Sequence, residues 1–112
     1  MSTESPSAVL LRRLAVNDER TFGSLCGAAD DACVAIGDKT RALVRIAALI
    51  ATGSAAASYQ AAVGAAFSAG AVEGEVVDVL SSVAPIVGVA RVTSAAPALA
   101  AALGYEVEFP PE

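Results

Sequence analysis

Residues 50–67, "IATGSAAASYQAAVGAAF", decide how this chain folds. They lie inside a charge-free run from Ile46 to Val72, which by length alone would satisfy a membrane-spanning helix of about 20 residues. Its composition argues otherwise. Ala, Gly and Ser dominate it, Thr52, Ser54, Ser58, Gln60 and Ser68 interrupt it, and no aromatic or basic anchor flanks it beyond Arg45. Gly53 stands where a spanning helix would have to continue. Two helices joined at Thr52-Gly53-Ser54 explain the stretch better, with Gly53 as the stop of the first and Ser54 as the N-cap of the second. The expectation is a helical hairpin and no membrane partner.

Outward from the hairpin the pattern stays helical. On the N-terminal side Asp38 is the expected cap of "KTRALVRIAALIA", with Leu43, Ile46, Ala47 and Ile50 on one stripe and Lys39, Arg41 and Arg45 off it. The second helix, Ala55 to Ala69, puts Tyr59, Val63, Ala66 and Phe67 on one face and stops at Gly70. Its small residues Ala57, Ala61, Gly64, Ala65 and Ser68 recur at three- and four-residue steps, a surface for close helix packing within the chain or between chains. A helix follows with Glu73, Glu75 and Asp78 in its first turns, where the helix dipole favours acids. Its core stripe is Val76, Val77, Leu80, Val83 and Ala84, and Pro85 should kink or end it. The region "VARVTSAAPALAAAL" contains Pro97 and is expected in two pieces. Gly104 ends it before the extended tail "YEVEFPPE".

Ahead of the hairpin, Ser5-Pro6 opens a helix to about Val16, with Val9, Leu10, Arg13 and Leu14 in amphipathic spacing. Asn17 is the expected cap of a short helix through Leu25, ending near Gly27, and residues 28–37 read equally as a helical turn or a loop. The fold class expected is all-α, one domain over residues 1–112 with about five or six helices around the central hairpin.

Composition narrows function. With 112 residues, 55% hydrophobic and only 4% aromatic, the core must be built from Ala and Val. Thin side chains bury enough area only if helices approach closely, and neighbouring subunits would add to that burial. A net charge of −5, with Arg12-Arg13 the only adjacent basic pair, argues against nucleic acid, which requires a basic face. Histidine is absent and there are two Cys, so the chain lacks the commonest general base and the usual zinc ligand set; no metal and no cofactor is expected. Cys26 and Cys33 match neither a C-x-x-C nor a disulfide framework. They read as reduced thiols, and an N-terminus without the basic-then-apolar order of a leader adds to the expectation of a cytoplasmic protein.

At "DKTRALVRIAALIATG", a small-residue helix, and then "SAGAVEGEVVDVLSSVAPIVG", the chain resembles the carboxymuconolactone decarboxylase superfamily, which includes alkylhydroperoxidase D-like proteins. The resemblance covers roughly residues 38–90 and includes the breaks Ala69-Gly70 and Ala84-Pro85-Ile86-Val87-Gly88. It implies an alkylhydroperoxidase D-like helical domain assembled as a homotrimer or homohexamer. The peroxidase branch carries a Glu in the first helix, a C-x-x-C at the start of the second and a His one turn later. Those positions fall here on Ala42, Ser54, Ala57 and Ala61; counted back from Ala69-Gly70, the last three become Ala55, Ser58 and Ala62. Neither register holds a thiol, an imidazole or an acid, so thiol peroxidase chemistry is excluded there and no catalytic residue is assigned.

The candidate pocket residues are Arg45, Ser58, Tyr59 and Gln60. The triplet would supply hydrogen bonds, and Arg45 or Arg41 would bind a carboxylate, which suits a small anionic metabolite. The bland alternative is favoured: Tyr59 packed in the core with a satisfied hydroxyl, Ser58 bonded back to its helix, Gln60 solvated. Arg91, lone in an apolar segment, would either reach an anion or pair across an interface. Two functions follow. One is an oligomeric binding or accessory protein with a degenerate active site; the other is a decarboxylase- or lactone-processing enzyme that uses Arg and Tyr on a small carboxylic acid. The absence of His, of Cys at the site and of a paired buried acid favours the first.

Overall fold

The computed structural model describes residues 5–26 and 35–105, apart from the side chains at 22, 24 and 26. All six elements described are helices: α1 Pro6–Ala15, α2 Glu19–Cys26, α3 Gly37–Thr52, α4 Ala56–Ser68, α5 Glu73–Val87 and α6 Val89–Ala102. They fall into two compact units, residues 1–34 and 35–112. The Cys26 side chain, Cys33, the 28–34 part of the ambiguous segment and the tail beyond Tyr105 lie outside what is described. Among the described residues no helix is long and apolar enough to cross a membrane.

In the first unit α1 begins as its sequence dictates. Pro6 occupies the first turn and the Ser5 hydroxyl accepts the Ala8 N–H at 3.1 Å. The cap of α2 lies one residue beyond the expected Asn17. Asn17 takes a left-handed conformation (φ 59°), and Asp18 accepts the Arg20 N–H at 3.1 Å and the Thr21 hydroxyl at 3.0 Å. Both residue types suit either task; the turn after α1 needs the left-handed residue first.

The second unit is a four-helix array. Helix α3 packs on α4 and α5, α6 packs on the same two, and α3 and α6 also touch, so they form its central pair. The fully buried large side chains are Ile46 and Ile50 of α3, Tyr59 and Val63 of α4, Val76 of α5 and Leu99 of α6. Spacings of four in α3 and α4 aim successive side chains at this one core.

Several sequence expectations shift here. Helix α3 starts at Gly37, so Asp38 is not its cap; it sits in the first turn and its carboxylate pairs with Arg41. Arg41 is only 7% exposed rather than off the buried stripe, and Ala42 is buried beside it while Leu43 and Ala47 are half-covered. Such a guanidinium lays its aliphatic stem along the core and meets a carboxylate at its head. Phe67 and Val77, both expected in the core, are exposed. Helix α6 runs unbroken through Pro97, and α5 continues past Pro85 to Gly88. Both prolines are exposed, and the buried Ala95 and Leu99 on either side of Pro97 hold α6 together across the lost hydrogen bond.

Two of the acids opening α5 make specific contacts. The Glu75 carboxylate accepts the Val72 N–H at 3.0 Å and meets Lys39 Nζ at 3.1 Å. The Tyr105 hydroxyl donates to Glu73. The backbone bond from Val72 first, and then Lys39, hold the Glu75 carboxyl below its ordinary value.

Two measurements check this architecture. Ile46→Ala should destabilise the protein by about 2–5 kcal/mol in urea unfolding, whereas Val77→Ala should stay within about 0.5 kcal/mol. A depressed Glu75 pKa means its contribution is present above the ordinary glutamate value near 4.5 and is lost as pH falls through the lower folded value. The melting temperature of Glu75→Gln should therefore lie below wild type at pH 7 and converge on it toward pH 3.

Candidate functional site

The turn that ends α3 builds one wall of a cavity. Gly53 is left-handed (φ 74°) and its N–H bonds the Leu49 carbonyl at 3.0 Å, as does the Ser54 N–H at 3.2 Å. This positive φ is what calls for glycine. Ser54 does not cap α4 as the sequence suggests. The cap position is Ala55, without a side-chain bond, and the Ser54 hydroxyl instead lies 3.2 Å from that of Thr52. The chain stays extended one residue further, which carries Ser54 to the rim of the cavity.

The cavity has a volume of about 270 Å³ and lies between this turn and the N-terminal half of α6. Gly53, Ser54 and Tyr59 line one side; Arg91, Ser94 and two alanines of α6 line the other. Ala90, Arg91 and Ser94 share a helical face because residues three and four apart stack on the same side. No carboxylate is among the lining residues. The first turn of α6, which includes Ala90 and Arg91, also has no side-chain cap, so the positive end of its dipole adds to the Arg91 charge.

Tyr59 is 1% exposed and its hydroxyl is buried with no hydrogen-bond partner. The core position was legible in the sequence; the satisfied hydroxyl expected with it is absent. Leaving a hydroxyl out of water without a partner costs on the order of 1–3 kcal/mol. Burial also pushes the phenol above its ordinary value, so at neutral pH it is protonated and can donate. Among the described residues no acid pairs with Arg91. The cavity thus combines the Arg91 side chain, two serines and a tyrosine whose buried hydroxyl has no partner, a set suited to holding a small anion rather than to abstracting a proton.

Of the four candidate pocket residues, Tyr59 lines this cavity. Ser58 and Gln60 are exposed on α4 at its neighbouring positions, and Arg45 is exposed on α3; none of the three is part of the lining. Arg41 is buried against Asp38. Arg91, Ser94, Gly53 and Ser54 complete the site. The available signal was the Arg91–Ser94 spacing, which places a cation and a hydroxyl on one face of a largely apolar helix. Ser54 is also one of the positions onto which the peroxidase thiols fall in one register.

The profile of the carboxymuconolactone decarboxylase family matches residues 20–101. No curated protein and no solved structure matches the chain.

An orphaned hydroxyl makes a stability forecast. Tyr59→Phe should leave the unfolding free energy unchanged or raise it by about 1 kcal/mol, because it removes a desolvated group that makes no bond. A loss above about 1 kcal/mol in urea unfolding would mean that the hydroxyl is satisfied in solution.

Proposed function

The chain belongs to the carboxymuconolactone decarboxylase family, and we propose that it is an oligomeric small-molecule-binding or accessory member, holding a small carboxylate in the Tyr59–Arg91 cavity. The observation that carries this is a cavity lined by both Arg91 and Tyr59, the latter with a buried hydroxyl that has no partner within the chain. A carboxylate there receives the forked donors of the guanidinium and the phenolic proton, and Ser54 and Ser94 satisfy further acceptor positions. The cavity volume restricts the ligand to a small metabolite.

The pairing of Arg91 with a protonated Tyr59 also favours a second reading, a decarboxylase- or lactone-processing enzyme in which Arg binds the carboxylate and Tyr polarises a carbonyl. Binding without turnover is the better-supported reading. The chain has no His, no acid lines the cavity, and a phenol whose pKa is raised is a weak base near neutrality. With neither C-x-x-C nor His in the sequence, peroxidase chemistry lies outside both readings, and the active site of the family is degenerate in this member. A cytoplasmic setting, in which Cys26 and Cys33 stay reduced, belongs to the same reading.

Assembly rests on separate observations. Ala57, Ala61, Gly64, Ala65 and Ser68, the small residues of α4, are all exposed in the isolated chain, as is Phe67. Of the two packing roles foreseen for them, the one between chains remains. Ile86 and Val89, on either side of Val87-Gly88, are 86% and 79% exposed and lie close together in the chain. A homotrimer or homohexamer would cover such surfaces.

Calorimetric titration with short monocarboxylates, from acetate to benzoate, tests the binding reading. At least one should bind, Arg91→Ala should weaken it by about 10-fold to 100-fold, and Tyr59→Phe by about 10-fold. Equal affinity in wild type and Arg91→Ala would sink the reading; release of carbon dioxide or ring opening of an added lactone would favour the enzyme. Light scattering at micromolar concentration should give a trimeric or hexameric mass, and a monomeric mass would contradict the assembly.

A further inference from the structure

We propose that Gly53 is a positioning residue of this cavity, whose missing side chain lets the Arg91 guanidinium stand where it meets an anion. The inference rests on the binding reading above and deepens it. Five glycines of the second unit have a positive φ: Gly37, Gly53, Gly70, Gly88 and Gly104. At four of them a Cβ would meet nothing within 4 Å, so the backbone conformation alone accounts for glycine. Gly53 differs. A Cβ there would lie 2.8 Å from Arg91 Nη1, well inside the roughly 3.5–4.0 Å at which such atoms rest.

What gives way at such a contact decides the consequence. The turn is tied to Leu49 by two backbone bonds, whereas Arg91 is exposed and its guanidinium is the far end of a flexible side chain. The guanidinium therefore moves, and the fold keeps its form. A bidentate contact tolerates a displacement of only about 0.5 Å, so the cavity keeps its shape and loses its anion geometry. The same placement sets the guanidinium at the C-terminal end of α3, where the partial negative charge of the helix favours a cation. Gly53 thus holds Arg91 at the mouth of α3 and across from Tyr59 at once.

Two kinds of effect must be separated, because any L-residue at φ 74° is strained. Gly70, at φ 97° with open space around it, supplies the control for strain alone. Gly53→Ala and Gly70→Ala should both lower the melting temperature. Only Gly53→Ala should shift the Arg91 Nε–Hε signal in a ¹H–¹⁵N spectrum of the full chain and weaken binding of the same monocarboxylates, by about tenfold or more. Gly53→Asn, which tolerates the left-handed backbone but also carries a Cβ, gives the same test if the alanine variant does not fold. The inference is overturned if the variant at 53 keeps the Arg91 signal in place and binds within about twofold of wild type. If the wild type itself binds no monocarboxylate, the binding reading fails, and the Arg91 signal alone decides whether Gly53 positions the guanidinium.

Discussion

The left-handed turn at Gly53 is the constraint on which the second unit depends. Helix α3 has to stop there: the backbone reverses with two N–H groups on the Leu49 carbonyl, and only then can α4 fold back along α3. Because α3 and α6 are the central pair of the array, the same turn also meets the N-terminal half of α6. One glycine therefore closes the hairpin and shapes a wall of the cavity. An extended helix through this point would bury nothing against α4 and would leave Tyr59 without a core.

Thin side chains make that closeness necessary. Ala and Val bury little area each, so the array gains stability only where helices approach tightly and a few larger groups fill the centre. Ile46, Ile50 and Leu99 do this with apolar groups, but Tyr59, the largest fully buried side chain, does it with a phenol. Packing explains the ring and leaves the hydroxyl unexplained, since phenylalanine would fill the same space without an orphaned donor. The proposed carboxylate would give that hydroxyl an acceptor and Arg91 a counter-charge. Three acids of this unit are engaged elsewhere: Asp38 meets Arg41, Glu75 caps α5 and meets Lys39, and Glu73 meets Tyr105. No carboxylate is among the residues that line the cavity beside Arg91.

Most of the fold was legible in the sequence. The break at Gly53, the stop at Gly70 and the Ile46–Ile50 and Tyr59–Val63–Ala66 faces follow from local rules about φ and helical period. The cap moved by one residue at Asn17 and Ser54 and by two at Asp38. Only Asp18 caps through its side chain, while Ile36 and Ala55 make no side-chain cap, so there the path of the chain overrides the local preference. Pro97 was over-read as a break, since propensity carries no information about the burial of Ala95 and Leu99 on either side. The site was legible only in part. Periodicity identifies a buried Tyr59, but which cation stands opposite it is fixed by the packing of α6 against the α3–α4 turn. Arg45, close in sequence, lies outside that lining, whereas Arg91, distant in sequence, belongs to it.

The central claim is that this corner is an anion site built around Arg91 and Tyr59. The most direct measurement is a crystal structure of the intact protein soaked with benzoate and compared with an unsoaked crystal. The account predicts carboxylate density within hydrogen-bond distance of both the Arg91 guanidinium and the Tyr59 hydroxyl. An unchanged cavity at saturating benzoate, with the Tyr59 hydroxyl bonded to a protein group instead, would contradict it.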